Sequence, residues 1–150
     1  FVKLLLDTHV ALWALAEPQR LPRDVAERLR DPENEVHVSV VSLWEIAIKH
    51  SLVHVNGRRK LDVAPREMLD WLAKTGFEVL GVAPAHCIQV DALPYRADPA
   101  NGRMHGDPFD RMLVAQALSE PMRLVTADPL VALHMPDAAG LIEVIAPLRR

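Results

Sequence analysis

Short apolar runs alternate with longer helical segments along most of this chain of 150 residues. The runs typical of strands cover residues 1–6, 36–39, 77–82, 123–126 and 141–145. Helical spacing and proline or glycine boundaries predict helices over residues 9–16, 22–31, 40–52, 65–75, 84–93 and 108–118. Strands separated by helices favour parallel pairing, because each parallel connection needs a long crossover. The pattern therefore predicts an α/β sandwich around a mostly parallel five-stranded sheet.

The last of these predicted helices raises a problem of charge. Asp107 is a good N-cap, and Pro108 follows at the first helical position, where its missing N–H costs nothing. Asp110 then shares a face with Leu113 and Val114, three and four residues further on. A carboxylate on a buried apolar face is costly unless a cation or a donor compensates it, and a helix N-terminus compensates only part. A cation shared with other acids would remove that cost.

Composition narrows the class of protein. Half of the residues are hydrophobic and a quarter are charged, which is typical of a folded domain, and we expect residues 1–150 to form one. The net charge of −3 excludes a strongly basic footprint for nucleic acid over the whole surface. A single cysteine, Cys87, excludes an internal disulfide. No apolar run has the length of a signal or membrane segment, so a cytoplasmic location is expected.

Three further acids stand beside apolar elements. Asp7 and Asp128 each follow a predicted strand, and Glu45 lies within an apolar helix. In open parallel sheets, ligands bind beyond the carboxyl ends of the strands. Together with Asp110, these carboxylates would repel one another without a counter-ion, and hard oxygen ligands suit Mg²⁺ or Mn²⁺.

Each acid also has an ordinary explanation. Asp7 is a common cap after a strand, Asp110 complements a helix dipole, and Asp128 precedes a proline in a turn. Glu45 can pair with Lys49 one helical turn later. Taken together the acids favour a shared cation, although their spacing alone does not decide between the two interpretations.

Other polar and aromatic residues carry weaker signals. The histidines fit no zinc-binding spacing. His105 is a candidate substrate contact because it precedes the acids of the last predicted helix, with a loop histidine of no special role as the alternative. Cys87 is expected to lie in the core, and the three tryptophans are expected to be packing residues rather than platforms for base stacking. The loop over residues 94–106 is long enough to be functional, although its role is not assigned.

Four blocks of the chain resemble the PIN domain, and most closely its VapC-type toxin branch. They cover residues 5–13 (LLDTHVALW), 42–49 (SLWEIAIK), 105–117 (HGDPFDRMLVAQA) and 124–128 (LVTAD). The blocks occur in the family's order and span nearly the whole chain, which makes the combination far more specific than any block alone.

The resemblance implies a PIN-like three-layer α/β/α sandwich that cleaves RNA as a Mg²⁺- or Mn²⁺-dependent endoribonuclease. Water activated by metal would leave 5′-phosphate and 3′-hydroxyl ends. The catalytic, metal-binding acids would be Asp7, Glu45, Asp110 and Asp128. Accessory roles would go to Asp107, Thr126 and Thr8.

The resemblance also implies partners. A cognate VapB-type antitoxin would block the acidic pocket, and the chain would form a homodimer. Because the chain is acidic overall, contact with RNA would depend on local residues, and the candidates are Arg111, Arg58, Arg59, Lys60 and His105. The polar insert over residues 56–60 departs from the family pattern and has no assigned role.

Two other functions are open. A PIN-like module could bind RNA or a partner without cutting, although it would have little reason to keep all four acids. A Mg²⁺-dependent phosphohydrolase or receiver-like domain also gathers acids at strand ends. A receiver needs a lysine at a strand end in its second half, whereas the last lysine of this chain is Lys74.

Overall fold

The computed structural model describes residues 1–135 and 140–149. Its five strands are β1 (Lys3–Leu6), β2 (Glu35–Ser39), β3 (Glu78–Leu80), β4 (Arg123–Thr126) and β5 (Ile142–Val144). They form one sheet in the order β3-β2-β1-β4-β5, and every neighbouring pair is parallel. The predicted α/β class and its five-stranded sheet are confirmed, with parallel pairing throughout the described strands.

In the described part of the chain, six α-helices connect and cover the strands. They are α1 (Thr8–Ala16), α2 (Arg23–Arg30), α3 (Val40–Ser51), α4 (Pro65–Thr75), α5 (Pro84–Asp91) and α6 (Pro108–Ser119). Each agrees with a predicted helix to within two residues. The segment expected to be a plain connection over residues 131–136 instead contains a 3-10 helix, Pro129–His134, and its residue 136 lies outside the described part. No helix in the described ranges is long and apolar enough to cross a membrane.

Alternation along the central strand creates two separate apolar layers. Leu4 and Leu6 of β1 pack into a core shared with α1, α2, α3 and α4. Leu5 points to the opposite face and packs against residues of α6, such as Leu113 and Val114. Because successive side chains of a strand face opposite sides, both faces of the sheet must be covered by helices. This arrangement is the three-layer α/β/α sandwich.

Three strands deliver polar residues to the same edge of the sheet. β1 ends at Leu6, and Asp7 then caps α1. β2 runs directly into α3, whose N-cap is Ser39. β4 ends at Thr126, two residues before Asp128 caps the 3-10 helix. Since the strands are parallel, these termini and the helix N-termini that follow them lie at one edge.

Truncation within the two-sided core should cost far more stability than truncation at the sheet edge. Leu6 is fully buried in the central strand, whereas Val79 of the edge strand β3 is 43% exposed. We expect Leu6→Ala to lower the free energy of unfolding by about 2–5 kcal/mol. The same measurement on Val79→Ala should show a loss under about 1 kcal/mol. Urea unfolding followed by circular dichroism checks both, and equal losses would contradict the layer assignment.

Candidate functional site

A small acidic cavity of about 140 Å³ lies at the edge where the strands β1 and β4 end. The carboxylates that line it belong to Asp7, Glu45, Asp107, Asp110 and Asp128. The remaining lining residues are Thr8, His9 and Lys49. The structure thus brings together the four predicted acids, which lie up to 121 positions apart in the sequence (7 to 128), with Asp107 and Thr8 beside them.

The carboxylate of Asp7 is the most deeply buried of the set. Its Oδ1 accepts a hydrogen bond of 2.9 Å from the backbone N–H of Val10, and its Oδ2 accepts one from the hydroxyl of Thr126. Burial raises the pKa of Asp7, and the hydrogen bonds from Thr126 and Val10 oppose that rise. Thr126 Oγ1 also accepts a bond of 3.1 Å from the backbone N–H of Asp128. Thr126 therefore joins the two strand ends that carry acids.

Glu45 projects from the middle of α3 with both carboxylate oxygens engaged. Oε1 accepts a hydrogen bond of 2.7 Å from the hydroxyl of Thr8, and Oε2 lies 2.5 Å from Lys49 Nζ. The ion pair considered from the sequence is therefore present. The side chain of Glu45 is nevertheless only 13% exposed and lines the acidic cavity, so the pair is not a freely solvated surface contact.

The N-terminus of α6 carries two acids with different tasks. Asp107 is the N-cap, and its Oδ1 accepts hydrogen bonds from the backbone N–H groups of Phe109 (2.8 Å) and Asp110 (3.1 Å). Asp110 accepts no such bond from the backbone of residues 1–135 or 140–149, and its Oδ2 lies 3.2 Å from His105 Nε2. Burial, followed by repulsion from Asp107, raises the pKa of Asp110 to about 7, and His105 opposes the rise. The carboxylate of Asp110 therefore lacks adequate compensation for its charge.

The donor atoms around Asp110 suit a divalent cation. One potential ligand atom from each of His105, Asp110 and Asp128 lies within 4.8 Å of the other two. Oxygen-rich sites of this kind bind Mg²⁺ or Mn²⁺. Lys49 is the one lysine or arginine among the described residues that line the cavity, and it is paired with Glu45. The described lining residues thus supply no free lysine or arginine to neutralise the acids on the α6 side.

The structure contradicts the expectation that Arg111 contacts the substrate. The residue is only 3% exposed and does not line the acidic cavity. Its Nη1 donates to the carbonyl oxygen of Pro94 (2.9 Å), its Nη2 donates to that of Val90 (3.2 Å), and its guanidinium stacks on the ring of Tyr95. These bonds from the buried guanidinium anchor the loop, because pulling it out would leave the backbone carbonyl groups unpaired.

The other basic candidates lie outside the cavity. Arg58, Arg59 and Lys60 are exposed in the turn that follows α3, where Val53 and Arg59 form an isolated antiparallel bridge. Arg59 Nη1 donates a hydrogen bond of 2.7 Å to the backbone carbonyl of His50. Their contact with RNA stays a prediction.

The expectation that Cys87 lies in the core is wrong, because the residue is exposed on α5. Trp44 is 62% exposed on α3 and makes an edge contact with Phe109, so it packs at the surface rather than in the core.

Three residues near the cavity carry a weak sequence signal or none. Lys49 carries an i,i+4 signal through Glu45, and His9 follows Asp7 by two positions. His134 has no sequence signal, although it is fully buried and its ring centroid lies 4.8 Å from that of His105. It enters the site because the 3-10 helix after Asp128 folds back toward α6.

Comparison with known proteins supports the resemblance. The family model described as PIN domain matches residues 4–132. The chain is 31% identical over 133 residues to Ribonuclease VapC22 from Mycobacterium tuberculosis, which covers 87% of this chain and 91% of that protein. The identified resemblance to VapC-type PIN proteins is thereby confirmed.

Two solved structures share the fold. VapBC2 from Rickettsia felis, bound to a DNA fragment from their promoter, aligns with a TM-score of 0.64 and 17% identity over 95% of this chain and 98% of that one. DNA-bound VapBC from Salmonella typhimurium aligns with a TM-score of 0.62 and 20% identity over 96% and 98%. These likenesses confirm the PIN-like α/β/α fold.

Removal of the Asp110 charge should stabilise the protein when chelator keeps divalent ions away. The folded-state pKa of Asp110 lies near 7 and exceeds its ordinary value of 3.8, so its ionisation in the folded protein destabilises it as the pH rises between those values. Asp110→Asn should therefore unfold at higher urea than the parent at pH 8. The gain, on the order of 2 kcal/mol, should shrink toward zero near pH 4.

The exposed Asp70 of α4 provides the matched control, since Asp70→Asn removes a carboxylate outside the cavity. Its effect on urea midpoints should stay small at both pH values. A gain in stability for Asp110→Asn that is independent of pH, or that grows as the pH falls, would contradict the inference that the ionised carboxylate of Asp110 destabilises the folded protein.

Proposed function

The chain belongs to the PIN domain family, and from this premise we propose that it is a divalent-metal-dependent endoribonuclease that acts as the toxin of a toxin–antitoxin pair. A relative of 31% identity over most of both chains is a VapC ribonuclease. The observation that carries the proposal is the single cavity shared by Asp7, Glu45, Asp110 and Asp128. Without a cation, carboxylates gathered in one cavity would only repel one another.

In the proposed mechanism these four acids hold Mg²⁺ or Mn²⁺. The fit is supported by the hard oxygen donors and by the raised pKa of Asp110, which reflects uncompensated charge. When bound, such an ion supplies an activated water nucleophile and charge stabilisation at the leaving oxygen. Hydrolysis of this kind leaves 5′-phosphate and 3′-hydroxyl ends.

The accessory residues hold the acids in place. Thr126 and the backbone N–H of Val10 fix the two oxygens of Asp7, and Thr8 fixes one oxygen of Glu45. Asp107 starts α6 and so sets the direction in which Asp110 projects. Thr8 is the only hydroxyl among the described lining residues, and with 5% of its surface exposed it has little access to a bulky phosphodiester. Attack by water, without a covalent intermediate, is therefore the preferred route.

We propose a VapB-type antitoxin and a second copy of this chain as protein partners, with RNA as substrate. The structural neighbours from Rickettsia felis and Salmonella typhimurium are VapBC complexes, which supports the antitoxin. A cavity of about 350 Å³ bordered by the exposed Trp44 and Tyr95 supports an apolar contact surface between copies. A cytoplasmic site of action and a single domain over residues 1–150 complete the proposal.

Cleavage of end-labelled RNA tests the function directly. We expect cleavage with Mn²⁺ or Mg²⁺, none with EDTA, and recovery when the metal is restored. Ligation-based sequencing of the fragments should detect 5′-phosphate ends. RNA binding without metal-dependent cutting would favour the module that binds without cleavage, whereas hydrolysis of small phosphate esters alone would favour a phosphohydrolase.

Loss of one proposed ligand should abolish most activity without unfolding the protein. Asp7→Asn keeps the size of the side chain but removes its charge, and it should lower the cleavage rate by at least about 100-fold. Circular dichroism verifies the fold, and Asp70→Asn serves as the control that retains full activity. Undiminished cleavage by the Asp7 variant would exclude that carboxylate as an essential ligand.

The basic turn after α3 should contribute to RNA affinity rather than to chemistry. We expect the double substitution Arg58→Ala/Lys60→Ala to weaken RNA binding and to reduce the salt dependence of log K by about 1–1.5. Fluorescence anisotropy in EDTA at several salt concentrations measures this slope. Arg66→Ala/Lys74→Ala on α4 removes the same charge elsewhere and should leave the slope nearly unchanged. Equal changes in both variants would refute a specific contact.

A further inference from the structure

His105 stands at the end of the loop between α5 and α6, facing the acids. Its Nε2 lies 3.2 Å from Asp110 Oδ2, and a ligand atom of Asp128 completes a group within 4.8 Å. Ligands on opposite sides of one Mg²⁺-sized ion are separated by about 4 Å, twice the ligand distance. The three donor groups are therefore nearly as close together as a single coordination sphere requires.

The ring of His105 is supported from behind. The fully buried ring of His134 lies 4.8 Å from it, tilted by 31°. His134 Nδ1 lies 3.2 Å from Arg111 Nη1, which has a proton to donate, so this nitrogen acts as the acceptor. A neutral imidazole packed against His105 restricts its ring without adding positive charge near the acids.

Arg111 of α6 connects His134 to α5 and to the loop that follows α5. The same Nη1 donates to Pro94 at the start of the loop, and Nη2 donates to Val90 in α5. Since Arg111 itself belongs to α6, the loop that ends at His105 is fastened at its beginning by the helix that carries Asp110. Buried contacts thus hold the beginning of this loop and the ring of His134 against which His105 packs, as expected for a preorganised ligand.

We propose that His105 is a nitrogen ligand to the divalent ion, beside Asp110 and Asp128, and that it makes the site prefer Mn²⁺ to Mg²⁺. This inference rests on the proposed metal-dependent function and adds a donor outside the four acids. Mg²⁺ is bound almost entirely by oxygen, whereas imidazole is a good ligand for transition metals. An imidazole in an otherwise oxygen-rich sphere therefore strengthens Mn²⁺ binding more than Mg²⁺ binding.

Electron spin echo modulation of bound Mn²⁺ tests the nitrogen directly, without any turnover. The full chain loaded with Mn²⁺ should show a directly coupled ¹⁴N nucleus. His9 is the competing source, because it lines the acidic cavity, whereas His105 lies beside that cavity in contact with Asp110. The coupling should persist in His9→Asn and disappear in His105→Asn. Absence from Mn²⁺-loaded parent protein, loss in the His9 variant, or persistence in the His105 variant would overturn the proposal.

Affinity measurements test the metal preference. Titration calorimetry should show Mn²⁺ binding weakened by at least about 10-fold in His105→Asn. The loss for Mg²⁺ should be several-fold smaller, and His9→Asn should change neither. Equal losses for the two ions would overturn the preference. Should His105→Asn fail to fold, the spectra of the parent protein and of His9→Asn still decide, because they distinguish the two histidines.

Ligation by His105 and cleavage of RNA can fail independently of each other. A protein that cuts RNA with metal but shows no nitrogen coupling keeps the proposed function and loses this inference. A protein with His105-dependent coupling that cuts no RNA keeps the ligand and loses the nuclease function. Failure to bind Mn²⁺ at all would overturn both.

Discussion

Repulsion and desolvation among carboxylates at one edge of a parallel sheet is the constraint on which the site depends. Parallel strands place the N-termini of the following helices side by side, and the acids that occupy these positions meet there. The raised pKa values of Asp7 and Asp110 show that helix ends and hydrogen bonds compensate only part of this charge. The fold is stable enough to carry this cost because two separate apolar layers hold the sheet from both sides.

Most of the fold could be predicted because its elements carry local signals. Apolar runs ending in Asp7 or Thr126, and helices opened by Pro65, Pro84 or Pro108, place every described strand and α-helix to within two residues. The strand predicted over residues 77–82 is shorter in the structure because β3 lies at the edge and pairs with β2 alone. The 3-10 helix after Asp128 lacked such a signal, since short helices of this kind have no repeating apolar face.

The site could be predicted only where the signal is local to one segment. Acids after strands were identifiable, and the PIN resemblance connected them. The network of His105, Arg111 and His134 could not be identified from the sequence. Its contacts join a loop, a helix and a 3-10 helix, and they follow no sequence periodicity. Arg111 illustrates the difference: an arginine one residue after Asp110 suggests a substrate contact, and only the packing of the loop shows that carbonyl oxygens already occupy it.

The ion pair between Lys49 and Glu45 affects how a divalent ion can bind in the acidic cavity. Lys49 and Glu45 lie one turn apart on the same helix, α3, so the ammonium group is covalently attached close to the carboxylate. Its effective concentration at Glu45 is therefore independent of the concentration of protein or salt in solution. An incoming divalent ion competes with this attached ammonium group at Glu45, whereas at Asp128 it meets a carboxylate whose Oδ1 accepts a hydrogen bond from the backbone N–H of Leu130. The two walls of the cavity therefore differ in the partner that an ion would have to displace.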